Sequence, residues 1–389
     1  MSAIKDRSFY MYLAKNPGVF MERKKLLRNY VDVIAVFLAS RVCFIVIIFL
    51  AGKSISELPE VFDGGLYNMI AENGYNQVHL TNFFPMIPLI IRYLGGYALI
   101  AINQICLFIS MVLLKKLLEN EHKTSSAGLI LLIFAFSPVS YFSFVEYTES
   151  IFFVLSFSAF YLFVKNKLPW LMGILLGLSV FTRNTGSIVF FALFIGMVIR
   201  WIRKETGFLN IIAAYVPATI ISILYPVYLQ FTFGSWKVFL DVQFDNWYRE
   251  RSNLFKTYCT SFKMLFTDAY EFDIYSLTLF RINEVMTILI TAFLLCLCVK
   301  EIRKLKNISL PSIVSVLVIV FSIVLISSTI NPPEVAAPTR SFYRYYLGMF
   351  PAFTLLYDLN PKIVNPLVII FAFSGIVISY IFFKGIFFY

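Results

Sequence analysis

"VDVIAVFLASRVCFIVIIFLA", Val31 to Ala51, is an apolar run about long enough to cross a bilayer as a helix. Acidic residues follow it and no small-residue cleavage site does, so it reads as a retained transmembrane helix and not as a signal peptide. The rest of the chain repeats the theme. Of 389 residues 59% are hydrophobic and only 14% charged, with a mean hydropathy of +0.79. A soluble core cannot hide that much apolar surface, which predicts an all-α polytopic membrane protein.

The net charge of +11 could point to nucleic acid, but its distribution does not. Arg23-Lys24-Lys25-Arg28, Lys115-Lys116-Lys123, Lys165-Lys167, Arg200-Arg203-Lys204 and Lys300-Arg303-Lys304-Lys306 each occupy a short gap between apolar runs. If the runs alternate across a membrane, these gaps share one side, and the excess of Lys and Arg makes that side cytoplasmic. The expected partners are therefore membrane lipids, with no nucleic acid. Five cysteines lie mostly inside apolar runs and give neither a disulfide framework nor a metal site.

Counting runs predicts about eleven spans, near 31–51, 96–114, 127–145, 148–164, 168–183, 185–201, 208–232, 280–299, 309–329, 343–358 and 363–383. This puts a basic N-terminus, residues 1–30, in the cytoplasm and the C-terminus outside, within one integral membrane domain over 1–389. Three segments then face outward and are richer in polar and aromatic residues: 52–95, 233–279 and 330–342. The first carries "EVFDGGLYNMIAENGYN" with an amphipathic piece, Leu66, Met69 and Ile70, suited to a helix at the interface. The second opens with "DVQFDNWYRERSNLF", where Gln243 and Trp247 are candidate substrate contacts.

The outward side also collects the residues able to do chemistry. Asp63, beside Gly64 and Gly65, is either a general base toward a sugar hydroxyl or a solvated loop acid. Glu146 and Glu149 are costly at a span end unless they meet water, a partner or a site, and they share a face if their segment is helical. Arg183 in "FTRNTGS" can grip a phosphate bidentately, bind anionic headgroups or snorkel. Arg340 and Arg344, four apart, line one face if their helix begins early, a cradle for phosphate or part of an aromatic belt with the tyrosines between them. No phosphate loop, dinucleotide turn or His-Glu-x-x-His pattern is present, and His79 and His122 are the only histidines.

Several stretches match a known family in order. "FDGGLYNMIAENGY" followed by "NFFPMIPLIIR", then "FSPVSYFSFVEYTESIFFVLSFSAFY", "GLSVFTRNTGSIV" and "RYYLGMFPAFTLL", together resemble the PIG-V-like mannosyltransferases, multi-span enzymes of the GT-C type. The resemblance implies a polyprenyl-phosphate sugar donor, transfer on the outer or lumenal face to a lipid-linked or glycan acceptor, and Asp63 as the catalytic base. Motif position and charge add Arg183, Arg340 and Arg344 for the donor phosphate, with Tyr67, Glu146, Glu149, Gln243 and Trp247 as substrate contacts. The chain departs from many relatives in having Phe62 for a Trp before the Asp, which keeps an aromatic wall but loses the indole donor. Its Ile, Lys and Phe content suggests a bacterial plasma-membrane member, where a eukaryotic one would occupy the endoplasmic reticulum. No cofactor is implied. A divalent cation on Asp63 with Glu146 or Glu149 would have an incomplete shell. The competing expectations are a lipid-linked-saccharide flippase, which needs polar residues at mid-membrane depth, and a non-catalytic subunit.

Overall fold

The structure, a computed structural model, describes residues 17–121, 124, 126–267, 274–304 and 308–386. Residues 1–16 of the basic N-terminus, His122, Lys123, Lys306 and the side chains of Arg23 to Arg28 lie outside the described residues.

Five helices are long and apolar enough to cross a membrane: α1 (Pro17–Leu50), α4 (Gly96–Lys116), α9 (Phe208–Phe233), α12 (Ile274–Ile302) and α16 (Pro361–Phe383). Between α1 and α4 lie α2 (Asp63–Asn73) and α3 (Met86–Leu94). The middle of the chain supplies α5 (Ala127–Ala135), α6 (Glu149–Lys165), α7 (Pro169–Thr182) and α8 (Gly186–Ile202). The remainder gives α10 (Val238–Asp245), α11 (Leu254–Met264), α13 (Leu310–Ile326), α14 (Phe342–Leu347) and α15 (Pro351–Thr354). Large apolar side chains such as Leu50, Leu209, Phe231, Ile369 and Phe373 point outward from the long helices, as lipid-facing surfaces do.

The expected eleven continuous spans are not what the chain forms. The stretch 127–145 holds the nine-residue α5 and then a 3₁₀ turn at Ser140–Phe144, and 343–358 is divided into α14, α15 and a further 3₁₀ turn. Both stretches are buried almost throughout. Broken backbone at membrane depth is tolerated only where protein surrounds it and satisfies the freed carbonyls. Arg41, in the middle of α1 and 6% exposed, does this for α5: its guanidinium donates to Ala135 O at 3.3 Å, to Ser143 Oγ at 2.5 Å and to Ser140 O at 3.5 Å. It also packs against the rings of Phe37, Phe44 and Phe144.

The tightest helix contact is between α7 and α9. A Cβ on Gly173 would stand 1.8 Å from Ala214 O, and one on Gly177 2.9 Å from Ala218 O, so these small residues, four apart on each helix, let the two backbones touch. Without a hydrophobic drive between helices in lipid, such close approach supplies the packing energy that holds them. α7 also packs on α6, α6 on α4, α8 on α13, and α16 on α1 and α5.

Among the described residues, the segments expected to face outward contain helices and are not open loops. The first, 52–95, is a layer containing α2 and α3. The second contains α10, α11 and a two-residue strand β1 (Glu250–Arg251), which pairs antiparallel with β2 (Thr329–Ile330) in the third, Arg251 opposite Thr329. This pairing joins segments that are distant in sequence and walls one side of a cavity.

Candidate active site

Chain reversals bring the chemistry to one end of the bundle. α6 starts there with Glu149, α7 ends there at Arg183, α8 starts there again at Gly186, and α13 ends there at Ile326. The basic gaps after α6 and α8 meet at the opposite end, where Asn166 Nδ2 donates to Glu205 O at 3.2 Å. Lys300 and Lys304, at the end of α12, pair with Asp358 at 3.4 and 2.8 Å.

At the first end lies a cavity of about 700 Å³. Asp63, Tyr67, Arg183, Gln243, Trp247, Arg340 and Arg344 all line it. Asp63 is the first residue of α2 and 23% exposed, its carboxylate reaching Arg344 Nη1 at 3.4 Å. Its backbone N–H donates to Tyr147 Oη at 3.3 Å, and Tyr147 is in turn fixed by Asn103, whose Nδ2 donates to the carbonyls of Val145 and Tyr147 at 3.1 and 3.2 Å. Phe62, just before it, is held at φ 50°, a left-handed conformation unfavourable for a bulky residue. Its ring packs 5.0 Å from that of Phe382 in α16.

Phe62 is therefore not the wall of the cavity that the sequence suggested. Gly64 likewise answers to packing and not to ligand approach, because a Cβ there would meet Pro59 O at 2.2 Å. Tyr67 does line the cavity, its ring edge-on to Phe83 at 5.1 Å, whereas the Tyr75 hydroxyl donates to Phe83 O at 2.6 Å and braces the chain.

The two glutamates do not share a helical face. Glu146 precedes α6 and is fully buried, accepting from Asn68 Nδ2 at 2.6 Å away from the cavity; burial pushes its carboxyl up to about 8. Glu149, also buried, stands behind the cavity wall and ties two arginines together, with Arg344 Nε at 2.6 Å and Arg183 Nη1 at 3.2 Å from the same oxygen. Neither glutamate is among the residues that line the cavity. Among the described residues no group of three or more His, Cys, Asp or Glu is arranged to hold a metal ion.

Arg340 and Arg344 do not lie on one early-starting helix either. Ser341, at φ 70°, separates them and α14 begins only at Phe342, yet both side chains face the cavity. The turn carrying Arg340 is fastened by buried Glu284 of α12, which accepts from the Thr339 backbone N–H at 3.0 Å and the Thr339 hydroxyl at 2.8 Å. Arg344 packs 4.6 Å from each of the Phe142 and Tyr147 rings, and Arg183 5.4 Å from Phe152 and Tyr345.

The electrostatics of Asp63 follow from this setting. Burial raises its pKa, while Arg344 by charge and hydrogen bond, and more weakly Arg340, pull it back. The result is a carboxylate more basic than an ordinary one, with cations at hand to keep it ionised. Two donors add to the polar lining, since Trp247 Nε1 and Thr185 Oγ1 are buried without a hydrogen-bond partner. Such groups cost stability unless a ligand satisfies them. Sequence reasoning missed Lys237, Arg249, Arg251, Asn82 and Asn331, which also line the cavity. The alternation of Arg249 and Arg251 in "WYRERS" was a usable signal; Asn331 carried none before the β1–β2 pairing was known.

Fold and site thus define a class: a multi-span helical membrane protein with a carboxylate and arginine cavity at one end of its bundle. Residues 81–328 match the family model of glycosyltransferase family 87. The chain belongs to that family and is a glycosyltransferase. The match assigns family 87 and not the PIG-V-like family, and it includes Arg183, Gln243 and Trp247 but neither Asp63 nor Arg340 and Arg344. No curated protein and no solved structure matches the chain significantly.

Proposed function

We propose that the protein transfers a sugar, mannose by the PIG-V-like resemblance, from a polyprenyl-phosphate donor to a lipid-linked or glycan acceptor on the extracytoplasmic face, by inverting direct displacement. The observation that carries this reading is the placement of Asp63, a carboxylate of raised basicity, in a cavity whose other charged walls are mainly arginine. The acceptor hydroxyl gives its proton to Asp63 while its oxygen bonds to the anomeric carbon. The bond from that carbon to the phosphate oxygen breaks, and the lipid phosphate keeps the electron pair. Because that phosphate leaves already charged, no general acid is needed.

Charge counting distributes the arginines. Arg183 and Arg344 are balanced by Glu149 and Asp63, two cations against two carboxylates. Arg340 adds a third guanidinium to the lining, and Arg183 and Arg344 offer directional N–H groups to a phosphate. Trp247, Gln243 and Tyr67 serve as sugar contacts, their ring and amide groups fitting a polar ligand with an apolar face. Sidedness is supported by the basic gaps at the opposite end of the bundle, which the positive-inside rule puts in the cytoplasm.

Incubating the purified protein with a panel of polyprenyl-phosphate sugars and reading donor loss by mass spectrometry tests the donor class. The expected result is release of polyprenyl phosphate from one member of the panel, the mannosyl donor. Turnover of nucleotide sugars with none of the lipid donors would overturn the reading.

A further inference from the structure

α12 is apolar enough to cross a membrane, yet it carries a fully buried carboxylate, Glu284. Such a group is costly in a spanning helix unless it meets partners or serves a site. The donors that meet it are neutral: the Ser261 hydroxyl of α11, Asn283 Nδ2 at 3.0 Å, and the Thr339 backbone N–H and hydroxyl at 3.0 and 2.8 Å. A carboxylate that only joined α11 to α12 would need Ser261 and not Thr339. Glu284 does not line the cavity, but Arg340, the residue after Thr339, does.

The turn that carries Arg340 is strained. Ser341 stands at φ 70°, a left-handed conformation that is costly for a residue with a Cβ and persists only where its surroundings over-determine it. They do so from two sides. Glu284 grips Thr339, while Asn331 grips the chain just before it, donating from its backbone N–H to Pro338 O at 3.1 Å and from Nδ2 to Ala337 O at 3.3 Å. Between these grips the turn closes on itself, the Arg340 N–H donating to Ala337 O and the Phe342 N–H to Thr339 O, both at 3.0 Å. Asn331 itself lines the cavity. Glu284 stands outside it, so its effect on the site passes through the turn.

We propose that Glu284 is a positioning residue, which holds the turn at 339–341 so that Arg340 points at the donor phosphate. This rests on the reading of the cavity as a lipid-phosphate donor site. Loss of the carboxylate leaves the Thr339 N–H and hydroxyl without their acceptor, lets Ser341 relax out of its strained conformation and swings the long side chain of Arg340 with the backbone. The guanidinium keeps its charge but loses its alignment, and alignment is what a directional phosphate contact needs.

The test is a double-mutant cycle between Glu284 and Arg340, read by calorimetry as the affinity of the purified full chain for geranyl phosphate. R340Q is expected to bind the probe about tenfold more weakly than the unaltered protein, and E284A to lose nearly as much. E284A/R340Q then binds no more weakly than R340Q alone, because the guanidinium that Glu284 aims is already gone. E284Q, whose carbonyl still accepts from the Thr339 N–H and whose amide still reaches the hydroxyl, recovers most of the affinity. A merely structural role lowers the unfolding midpoint of E284A and leaves probe binding as it was; that result, or losses that multiply in the double variant, overturns the proposal. If E284A does not fold, T339V removes one of the two bonds to the turn, and the same cycle is read with a smaller expected loss. If geranyl phosphate does not bind the unaltered protein, or binds R340Q equally well, the donor reading falls instead. Hydrogen exchange then decides whether Glu284 holds the turn: exchange over 337–342 about tenfold faster in E284A, with α8 unchanged, supports it, and equal protection in the two proteins overturns it.

Discussion

At Asp63 two opposing effects set the working pH. Burial favours the neutral acid, and the Arg344 and Arg340 charges favour the carboxylate. A base must be ionised to accept a proton, so the rate falls as pH drops through the Asp63 pKa, which lies above that of an ordinary aspartate. Removing a cation raises that pKa further. In R344Q the acid limb of the kcat/KM profile is therefore expected to move to higher pH, and in R340Q to move the same way by less, because Arg340 acts only at a distance. Plateau activity of R344Q should also drop by about tenfold or more, as an oriented donor is lost. Initial rates measured across pH give the comparison; an acid limb that stays in place, or shifts downward, in both variants would contradict the assignment of Asp63 as the base. Asp63, Arg340 and Arg344 were all candidates in the sequence, but the contact between Asp63 and Arg344 was not legible there. Glu149 looked like a ligand contact from its place at a span end, and only the fold reveals that it spends its charge holding Arg183 and Arg344.

Among the elements, hydropathy read the long helices well because lipid demands unbroken apolar runs from any helix that faces it. α4, α9 and α16 lie within a few residues of their expected ranges, while α1 and α12 begin earlier than expected. The same signal misled at 127–145 and 343–358, where burial inside the protein makes sequences as apolar as a span without requiring a span's helix. Arg41 is the counterpart of that irregularity, a cation in a lipid-facing helix that serves the broken end of α5. Its replacement by Ala leaves the carbonyls of Ala135 and Ser140 buried without those donors and opens a cavity among Phe37, Phe44 and Phe144. A loss of about 3 kcal/mol or more is expected for R41A, read as a lowered midpoint in detergent unfolding. An R41A midpoint equal to that of the unaltered protein would mean that the break in α5 does not depend on this side chain.

On the scale of the whole molecule, the separation of chemistry from basic gaps organises the fold. Cavity residues from α2, α7, α10, β1 and α14 come from nearly the full length of the chain, and no local stretch holds the site. The inner residues were legible from their order along the sequence, since each sits near the end of an apolar run on the side expected to face outward. The outer wall depends on strand pairing between 250–251 and 329–330, two-residue strands too short to leave a periodic pattern. The function proposed for this assembled cavity is that of one catalytic unit acting on a lipid-phosphate sugar with Asp63 as its base. It is tested most directly by reconstituting the unaltered and D63N proteins in liposomes with polyprenyl-phosphate mannose and an extract of membrane acceptors, then measuring polyprenyl phosphate released per protein. D63N is expected to unfold at the same temperature as the unaltered protein and to turn over slower by about a hundredfold or more, whereas near-equal turnover by the two would contradict the claim.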